Sequence, residues 1–307
     1  MNIKRAVISG ATGAIGIALL NELVKSGVEV LVLCRAGGRS SRIPKHPLIS
    51  LKYCELAELS ELENDTGKSF DVFYHLAWAG TTGAARNDTL LQNDNVRYAL
   101  HAVAAAKRLG CHAFVGIGSQ AEYGRVEGRL TPKTPTFPEN GYGIAKLAAG
   151  ALTRIEAEKL GMRHVWVRIL SVYGPYDGEN SLITSTIRKL LSGQTPQFTA
   201  GEQLWDYLYS KDAARALALL GERGQSGGIY VLGSGKACAL KNYVLALRDA
   251  VAPAASLTFG EIPYAPQQVM HLCADISAIT ADTGWLPTTD FADGIKETIQ
   301  WARNENL

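Results

Sequence analysis

Tyr142 and Lys146 form the residue pair whose types and spacing are best suited to chemistry. They stand four positions apart in the segment YGIAK. On a helix, this spacing places both side chains on one face. A cation beside a phenol favours the phenolate, so we expect the tyrosine pKa to fall from about 10 towards neutrality. The pair could then move a proton to or from a carbonyl or hydroxyl group, although YxxxK alone is a common pattern.

A glycine-rich loop near the N-terminus could hold a phosphate group. Residues 8–16 read ISGATGAIG, with glycines in GxxGxxG spacing directly between an apolar strand pattern and a helix pattern. Such a turn brings backbone N–H groups close to a pyrophosphate, and the helix N-terminus adds partial positive charge. We therefore expect a dinucleotide here, bound by Gly10, Thr12, Gly13, Ala14, Ile15 and Gly16. The alternative is a purely structural turn between strand and helix.

The end of the second strand pattern indicates which dinucleotide is bound. An acidic residue about 20 positions beyond the loop usually holds the ribose 2′-OH of NAD. Here that place holds Cys34, followed by Arg35, with Arg39 and Arg42 close behind. A guanidinium group pairs well with a phosphate. The pattern favours NADP and leaves NAD possible, and its alternative interpretation is a solvated basic turn.

The elements that must position these residues alternate between strands and helices. Apolar strand patterns cover residues 5–9, 28–33, 48–54, 71–78, 112–119 and 163–170, and amphipathic helix patterns separate several of them. This rhythm predicts βαβ units and a doubly wound parallel α/β sheet of the Rossmann type. It breaks after about Leu170. We predict an NAD(P)-binding domain over 1–170, a return to the sheet over about 203–232, and a smaller substrate-binding lobe within 171–307.

Composition excludes several other functions. The 307 residues carry a net charge of +2 and no cluster of lysine or arginine with interleaved aromatic residues, which argues against a nucleic-acid partner. No apolar run reaches the roughly 18 residues of a membrane helix, and AVIS is too short for a signal-peptide core. The five cysteines are scattered, and neither they nor the six histidines have metal-ligand spacing. We expect a cytoplasmic protein with no metal and no membrane contact.

Six motifs together carry a family resemblance over most of the chain. GATGAIG, FYHLAW, GSQAEYG, YGIAK, RILSVYGP and WDYLYSKDAARA follow one another in order. In these the chain resembles the extended short-chain dehydrogenases/reductases, in the group of sugar-nucleotide epimerases and dehydratases. The resemblance implies that Ser119 binds the sugar oxygen at the reacting carbon. It also implies that Tyr142 is the acid/base and that Lys146 binds the nicotinamide ribose.

The same resemblance implies further contacts. The nicotinamide pocket would be lined by Leu76, Ala77 and Trp78, the adenine by Glu55 and Leu56, and Asn95 would match a cofactor-site asparagine. The substrate would be a nucleotide-linked sugar, contacted by Ser119, Gln120, Asn180, Arg188, Gln197 and Trp205. Trp205 stands where many members have a phosphate-binding arginine, and it could stack on the substrate or simply pack. A homodimer is usual in the family. Arg168 is either a structural hub or a substrate ligand.

The residues after Ser119 indicate the reaction. The family's 4,6-dehydratases have Asp and Glu there, whereas this chain has Gln120 and Ala121, and Glu122 comes one place too late. Dehydration is therefore disfavoured, which leaves reduction of a 4-keto-sugar or epimerisation at C4. The preference for NADP tips the prediction to a reductase, with a 4-epimerase holding NAD as the alternative. A non-catalytic dinucleotide-binding regulator and a reductase of smaller ketones are weaker alternatives.

Overall fold

The computed structural model describes residues 3–305 and contains strands and helices in alternation over its first half. The strands are β1 Arg5–Ser9, β2 Glu29–Cys34, β3 Ile49–Tyr53, β4 Val72–His75, β5 Ala113–Ser119, β6 Arg163–Ile169, β7 Ser171–Tyr173, β8 Gln197–Phe198, β9 Leu204–Trp205, β10 Tyr207–Tyr209, β11 Gly228–Leu232, β12 Cys238–Ala239 and β13 Thr258–Phe259. The α-helices are α1 Ala14–Lys25, α2 Thr89–Arg108, α3 Gly141–Lys159, α4 Leu182–Leu191, α5 Ser210–Arg223, α6 Leu240–Val251, α7 Ser277–Thr283 and α8 Phe291–Asn304.

Seven of the strands form one parallel sheet in the order β11-β6-β5-β4-β1-β2-β3. From β1, the chain adds β2 and β3 on one side of the sheet and then β4, β5, β6 and β11 on the other, so the strand order reverses between β1 and β4. In such sheets ligands bind in the crevice that opens at this point, beyond the carboxyl ends of the strands. The predicted doubly wound α/β fold is confirmed.

Helices cover both faces of the sheet, which explains why its strands are apolar almost throughout. In β1, Ala6 and Ile8 face a core that includes residues of α1 and α5. Val7, between them, faces the opposite core with residues of α2 and α3. Because both faces are buried, the strand needs apolar residues at every inner position rather than at alternate ones.

The segment after β6 builds a second cluster of helices. Strands β7 and β10 pair in parallel, and α4, α6 and α8 bury residues such as Ile183, Leu247 and Ile295 against Tyr173 and Tyr209. Strand β11 adds to the main sheet beside β6. The division of the chain into two domains at about residue 170 stays a prediction.

Capping residues fix where the two site-bearing helices begin. Asp88 caps α2 by accepting a hydrogen bond from the Leu91 N–H at 3.1 Å. Asn140 caps α3 by accepting from the Gly143 N–H at 2.8 Å. Such caps satisfy N–H groups that the helix itself leaves unpaired. They place Tyr142 in the first turn of α3.

Across residues 3–305, no helix is both long enough and apolar enough to span a bilayer.

Candidate active site

The glycine loop is tightly packed at two of its glycines and open at the third. Gly10 has a φ of +82°, and a Cβ there would lie 2.5 Å from the Ala77 nitrogen at the end of β4. A Cβ on Gly16 would lie 2.3 Å from the Gly10 oxygen. Gly13, the N-cap of α1, has no atom within 4 Å of where its Cβ would be, and no side chain caps the helix. The N-terminus of α1 is thus open to a ligand.

A cavity of about 780 Å³ runs along this loop and the ends of β1, β2 and β4. Its lining includes eight of the predicted cofactor residues: Gly10, Thr12, Gly13, Arg35, Glu55, Leu56, Ala77 and Trp78. A cavity of this size is within the usual range for small-molecule and cofactor sites. The open helix end and the elongated groove both suit a dinucleotide.

The remaining predicted cofactor residues do not line this cavity. Ala14, Ile15, Gly16 and Leu76 are absent from its walls, and Gly16 is buried in the loop packing. Asn95 is buried and hydrogen-bonds both the N–H and the carbonyl of Ala79 at 2.9 Å. It therefore fixes the segment after β4, which carries Ala77 and Trp78, rather than facing the groove itself.

The three arginines after β2 have different partners. Arg39 pairs with Glu179 at 3.5 Å, and Arg42 donates to the Thr12 carbonyl at 3.2 Å. Arg35 makes no ion pair within the described part of the chain and lines the cavity. Next to it, Cys34 is buried, and burial raises the pKa of its thiol, so this residue brings no negative charge to the groove. Of these three, Arg35 is the one available to a bound phosphate.

Ser119, Tyr142 and Lys146, called the triad from here on, meet where β5 ends against α3. Lys146 is only 3% exposed, and its Nζ donates to the Ile117 carbonyl at 2.6 Å. The same nitrogen lies 5.8 Å from the centre of the Tyr142 ring. The Ser119 hydroxyl oxygen accepts from the Ala121 N–H at 3.1 Å. Two of the three residues come from one helix face, and the strand end supplies the third.

The surroundings lower the pKa of Lys146 and raise that of Tyr142, and the second shift is opposite to the sequence-based expectation. Burial lowers the pKa of Lys146 to about 7, although Glu122 opposes the shift. The pKa of Tyr142 is raised, not lowered, because burial disfavours the phenolate more than Ser119 and Arg86 favour it. The predicted fall of the Tyr142 pKa was therefore wrong: the sequence shows the cation but not the desolvation around the phenol.

Trp78 lies against both Lys146 and Tyr142. The Lys146 Nζ lies 3.7 Å from the indole centre, which is a cation–π contact. The Tyr142 ring is edge-on to the indole, with 6.2 Å between the two ring centres. The indole N–H donates to the side-chain oxygen of Gln92 at 2.9 Å. The Trp78 ring is thus held in place beside the triad.

The carboxylate that follows Ser119 is not free to act on a substrate. Glu122 is fully buried and pairs with Arg168 at 2.7 Å. Gln120 is half-buried and Ala121 is buried, and neither side chain is ionisable. Arg168 also lies 4.6 Å from the centre of the Tyr123 ring, so it is a structural hub. The sequence had left that question open.

A second cavity, of about 310 Å³, lies in the part of the chain after β6. Gln197 and Trp205 line it, and the Trp205 indole N–H donates to the Ser171 hydroxyl at 2.8 Å. No lining residue is charged. Asn180 is exposed and Arg188 is half-buried, and neither lines this cavity. Arg188 and Asn180 were both predicted to contact the substrate, but the structure does not bring either of them to this cavity.

Three contacts escaped the sequence analysis. The Arg86 guanidinium lies 4.4 Å from the centre of the Tyr142 ring, Gln92 holds Trp78, and Arg42 holds the glycine loop. Arg86 stands in the segment GAARN, which has no recognisable motif. Only Arg42 had a signal in the sequence, as part of the basic stretch behind Cys34. Among residues 3–305, no three His, Cys, Asp or Glu side chains cluster as a metal site would require.

Comparison with known proteins places this site in a family. A family model described as the NAD dependent epimerase/dehydratase family matches residues 6–233. The chain belongs to this family. The match includes the glycine loop, all three triad residues, and the strand β5 and helix α3 that carry them, so the family resemblance is confirmed.

Relatives within the family are mostly named as dehydratases. A dTDP-glucose 4,6-dehydratase from Streptomyces niveus is 25% identical over 98% of this chain and 93% of its own length. A protein of the same name from Actinoplanes sp. is 29% identical, but the match spans only 65% of this chain and 62% of that relative. These names weigh against excluding dehydration.

The fold is also that of solved structures in complex with ligands. A UDP-glucuronic acid 4-epimerase from Bacillus cereus, solved with UDP-glucuronic acid and NAD, superimposes with a TM-score of 0.86. It is 21% identical, and the match covers 98% of this chain and 99% of that one. At this identity the likeness establishes the fold.

Proposed function

We propose that this family member is an NADP-dependent reductase of a nucleotide-linked 4-keto-sugar. The observation that carries the proposal is the triad, which meets the large groove through the Trp78 ring, with Gln120 and Ala121 next to its serine. Ser119, Tyr142 and Lys146 suit hydride chemistry at one carbon. The two residues after Ser119 cannot exchange protons as a carboxylate pair would. The names of the relatives favour a dehydratase, but we give the residues of this chain more weight than those names.

The protein's residues have separate tasks in this reaction. The Ser119 hydroxyl would hydrogen-bond the substrate carbonyl oxygen, and the Tyr142 hydroxyl would donate a proton to it as the carbonyl is reduced. The raised pKa of Tyr142 keeps this phenol protonated at neutral pH, which suits a proton donor. Lys146 would bind the nicotinamide ribose of the dinucleotide, and the α1 N-terminus would bind the dinucleotide's pyrophosphate. A bound nicotinamide supplies the hydride.

The cofactor preference depends on the end of β2. Arg35 lines the groove without an ion-pair partner in the described residues, and Cys34 beside it is uncharged. A guanidinium group favours a 2′-phosphate, and the end of β2 itself carries no acidic side chain, although Glu55 after β3 lines the same groove. We therefore propose NADP, within a family whose members use NAD.

A 4-epimerase is the second candidate, because the same triad would serve oxidation of the sugar at C4 and return of the hydride to the other face of the sugar. The two reactions differ in how the dinucleotide is used. An epimerase regenerates its own cofactor, whereas a reductase exchanges it at every turnover. Mass analysis of dinucleotide released from the denatured, purified protein separates them: stoichiometric NAD would favour the epimerase.

The catalytic assignment is tested with Tyr142→Phe. We expect this variant to lose NADPH-dependent reduction of nucleoside-diphosphate 4-keto-sugars while its dinucleotide affinity stays nearly unchanged. Tyr53→Phe, at an exposed tyrosine, is the matched control and should keep full turnover. Unchanged turnover in Tyr142→Phe would refute the assignment, and faster reduction of small ketones than of any nucleotide sugar would redirect the substrate proposal.

A homodimer is proposed from the outer face of α3. Ile144, Leu152 and Ile155 are 55%, 42% and 42% exposed and lie on one face of this helix. Exposed apolar residues grouped in this way are typical of an interface between subunits. The five cysteines are all free thiols, which supports our placing the protein in the cytoplasm.

A further inference from the structure

Glu122 lies in a fully buried polar cluster directly behind the triad. Its Oε1 accepts the Ser119 backbone N–H at 2.8 Å, and its Oε2 accepts the Arg168 Nε–H at 2.7 Å. The Trp166 indole N–H lies 3.1 Å from Oε1 and 3.3 Å from Oε2. Burying a carboxylate is costly unless its oxygens are paired in this way. Three donors from two strands therefore converge on one side chain.

Glycines on two elements make room for this cluster. A Cβ on Gly118, next to Ser119, would lie 2.3 Å from Glu122 Oε1 and 2.4 Å from Trp166 Nε1. A Cβ on Gly150, one turn beyond Lys146 on α3, would lie 2.7 Å from the Trp166 ring. The backbones that carry Ser119 and Lys146 thus both approach the Glu122–Trp166 contact closely, and the cluster determines how β5 and α3 sit against each other.

Lys146 is buried without an ion pair of its own among residues 3–305. Its Nζ donates to the Ile117 carbonyl, two residues before Ser119 on β5. The negative charge that stabilises this ammonium group is that of Glu122. The same charge disfavours the Tyr142 phenolate. Glu122 therefore acts on all three triad residues, on Ser119 through a hydrogen bond and on the other two through its charge.

We propose that Glu122 is a positioning residue for the reaction: it fixes the backbone of Ser119, and its buried negative charge acts on Lys146 and Tyr142. This inference rests on the proposed function, because it assigns Glu122 to the triad used there. Its charge favours the combination that proton donation needs, an ammonium group on Lys146 and a neutral phenol on Tyr142. The other charged or titratable groups nearby are Arg168 on β6, Arg86 over the Tyr142 ring, and Arg154 and His164 around a small cavity beside Glu122.

The test compares Glu122→Gln with Glu139→Gln. Both substitutions remove one carboxylate charge, but Glu139 lies in a surface ion pair with Arg125. The Tyr142 phenol is titrated by its ultraviolet absorbance, as the difference between each protein and the same protein carrying Tyr142→Phe, at equal dinucleotide content. Above pH 9 Lys146 is already neutral, since its pKa is about 7, so the titration reports the Glu122 charge alone.

We expect Glu122→Gln to lower the phenol pKa by about half to one unit, below the 1–3 units typical of charges in direct contact, and Glu139→Gln to leave it unchanged. If Glu122→Gln does not fold, the pair Glu122→Gln with Arg168→Met removes both charges and should lower the phenol pKa by less, because the lost Arg168 cation offsets part of the effect of the lost carboxylate. A phenol that titrates at the wild-type pH in whichever of these variants folds would overturn the proposal.

This titration needs no substrate, so its result is separate from the proposed function. If the shift in the phenol pKa is found but no keto-sugar is reduced, the positioning role of Glu122 is supported and the proposed reaction is refuted. Where reduction is measurable, Glu122→Gln should lower kcat more than it raises KM and should move the alkaline limb of the pH profile to lower pH. A purely structural glutamate would instead change the unfolding temperature and leave that limb in place.

Discussion

Gly13 and Gly16 stand three residues apart in one loop, yet replacing each with alanine should have opposite effects. At Gly16 a Cβ would overlap backbone atoms, 2.3 Å from the Gly10 oxygen and 2.6 Å from the Ala11 Cα. At Gly13 a Cβ would meet nothing within 4 Å of the protein and would project into the groove. We expect Gly16→Ala to lose stability and Gly13→Ala to lose dinucleotide affinity.

The magnitudes follow from these contacts. Backbone atoms cannot rotate away, so Gly16→Ala should cost the upper part of the usual 1–3 kcal/mol for overpacking, offset by about 1 kcal/mol of helix propensity. The net loss is about 1–2 kcal/mol, or roughly 2–8 °C in unfolding temperature at the 2–4 °C per kcal/mol typical of large domains. Gly13 has an extended backbone that alanine adopts freely, so the stability of Gly13→Ala should change by less than about 0.5 kcal/mol.

Binding should show the reverse order. A Cβ at Gly13 would keep a phosphate from the first N–H groups of α1, and a hydrogen bond to a charged group is worth about 1.5–3 kcal/mol. Gly13→Ala should therefore weaken NADPH binding about 10- to 100-fold. The assays are thermal unfolding without ligand and titration of the folded variants with NADPH. Wild-type affinity in Gly13→Ala, or an unfolding temperature of Gly16→Ala equal to wild type, would contradict this reading of the loop.

Three further predictions concern the cofactor, the buried lysine and the surface. Arg35→Ala should weaken the binding of NADPH at least about tenfold more than the binding of NADH, because one charge-assisted contact is lost. Equal losses of affinity in titrations with the two dinucleotides would remove the argument for NADP. Lys146→Met should stabilise the dinucleotide-free protein by about 2 kcal/mol more at pH 7 than at pH 9 in denaturant titrations, and an equal gain at both would contradict the lowered pKa. The sign follows because above pH 7 the unfolded chain keeps a proton that the folded lysine releases, so wild-type stability rises with pH. Leu152→Glu on α3 should convert a dimer to monomers in sedimentation analysis, whereas Leu51→Glu, at a comparably exposed leucine outside that face, should not.

The sequence by itself determined the fold, and its motifs predicted the residues to which we assign the chemistry. Alternating strand and helix patterns are local signals, because each element must bury its apolar face, and they sufficed for the parallel sheet. The GxxGxxG loop and YxxxK carry their spacing with them: helix geometry puts Tyr142 and Lys146 on one face wherever the helix lies. For the same reason the absence of carboxylates at Gln120 and Ala121 could be recognised without coordinates.

Tertiary structure alone decided what surrounds those residues. The pKa of Tyr142 depends on burial by elements far away in the chain, so the local pattern gave the wrong direction. Glu122 is separated from Arg168 by 46 positions, and no periodicity connects them. Arg188 was predicted to contact the substrate, yet its helix does not bring it to the cavity that Trp205 lines. Desolvation and long-range pairing are properties of the packed molecule, and the sequence encodes them only through the whole fold.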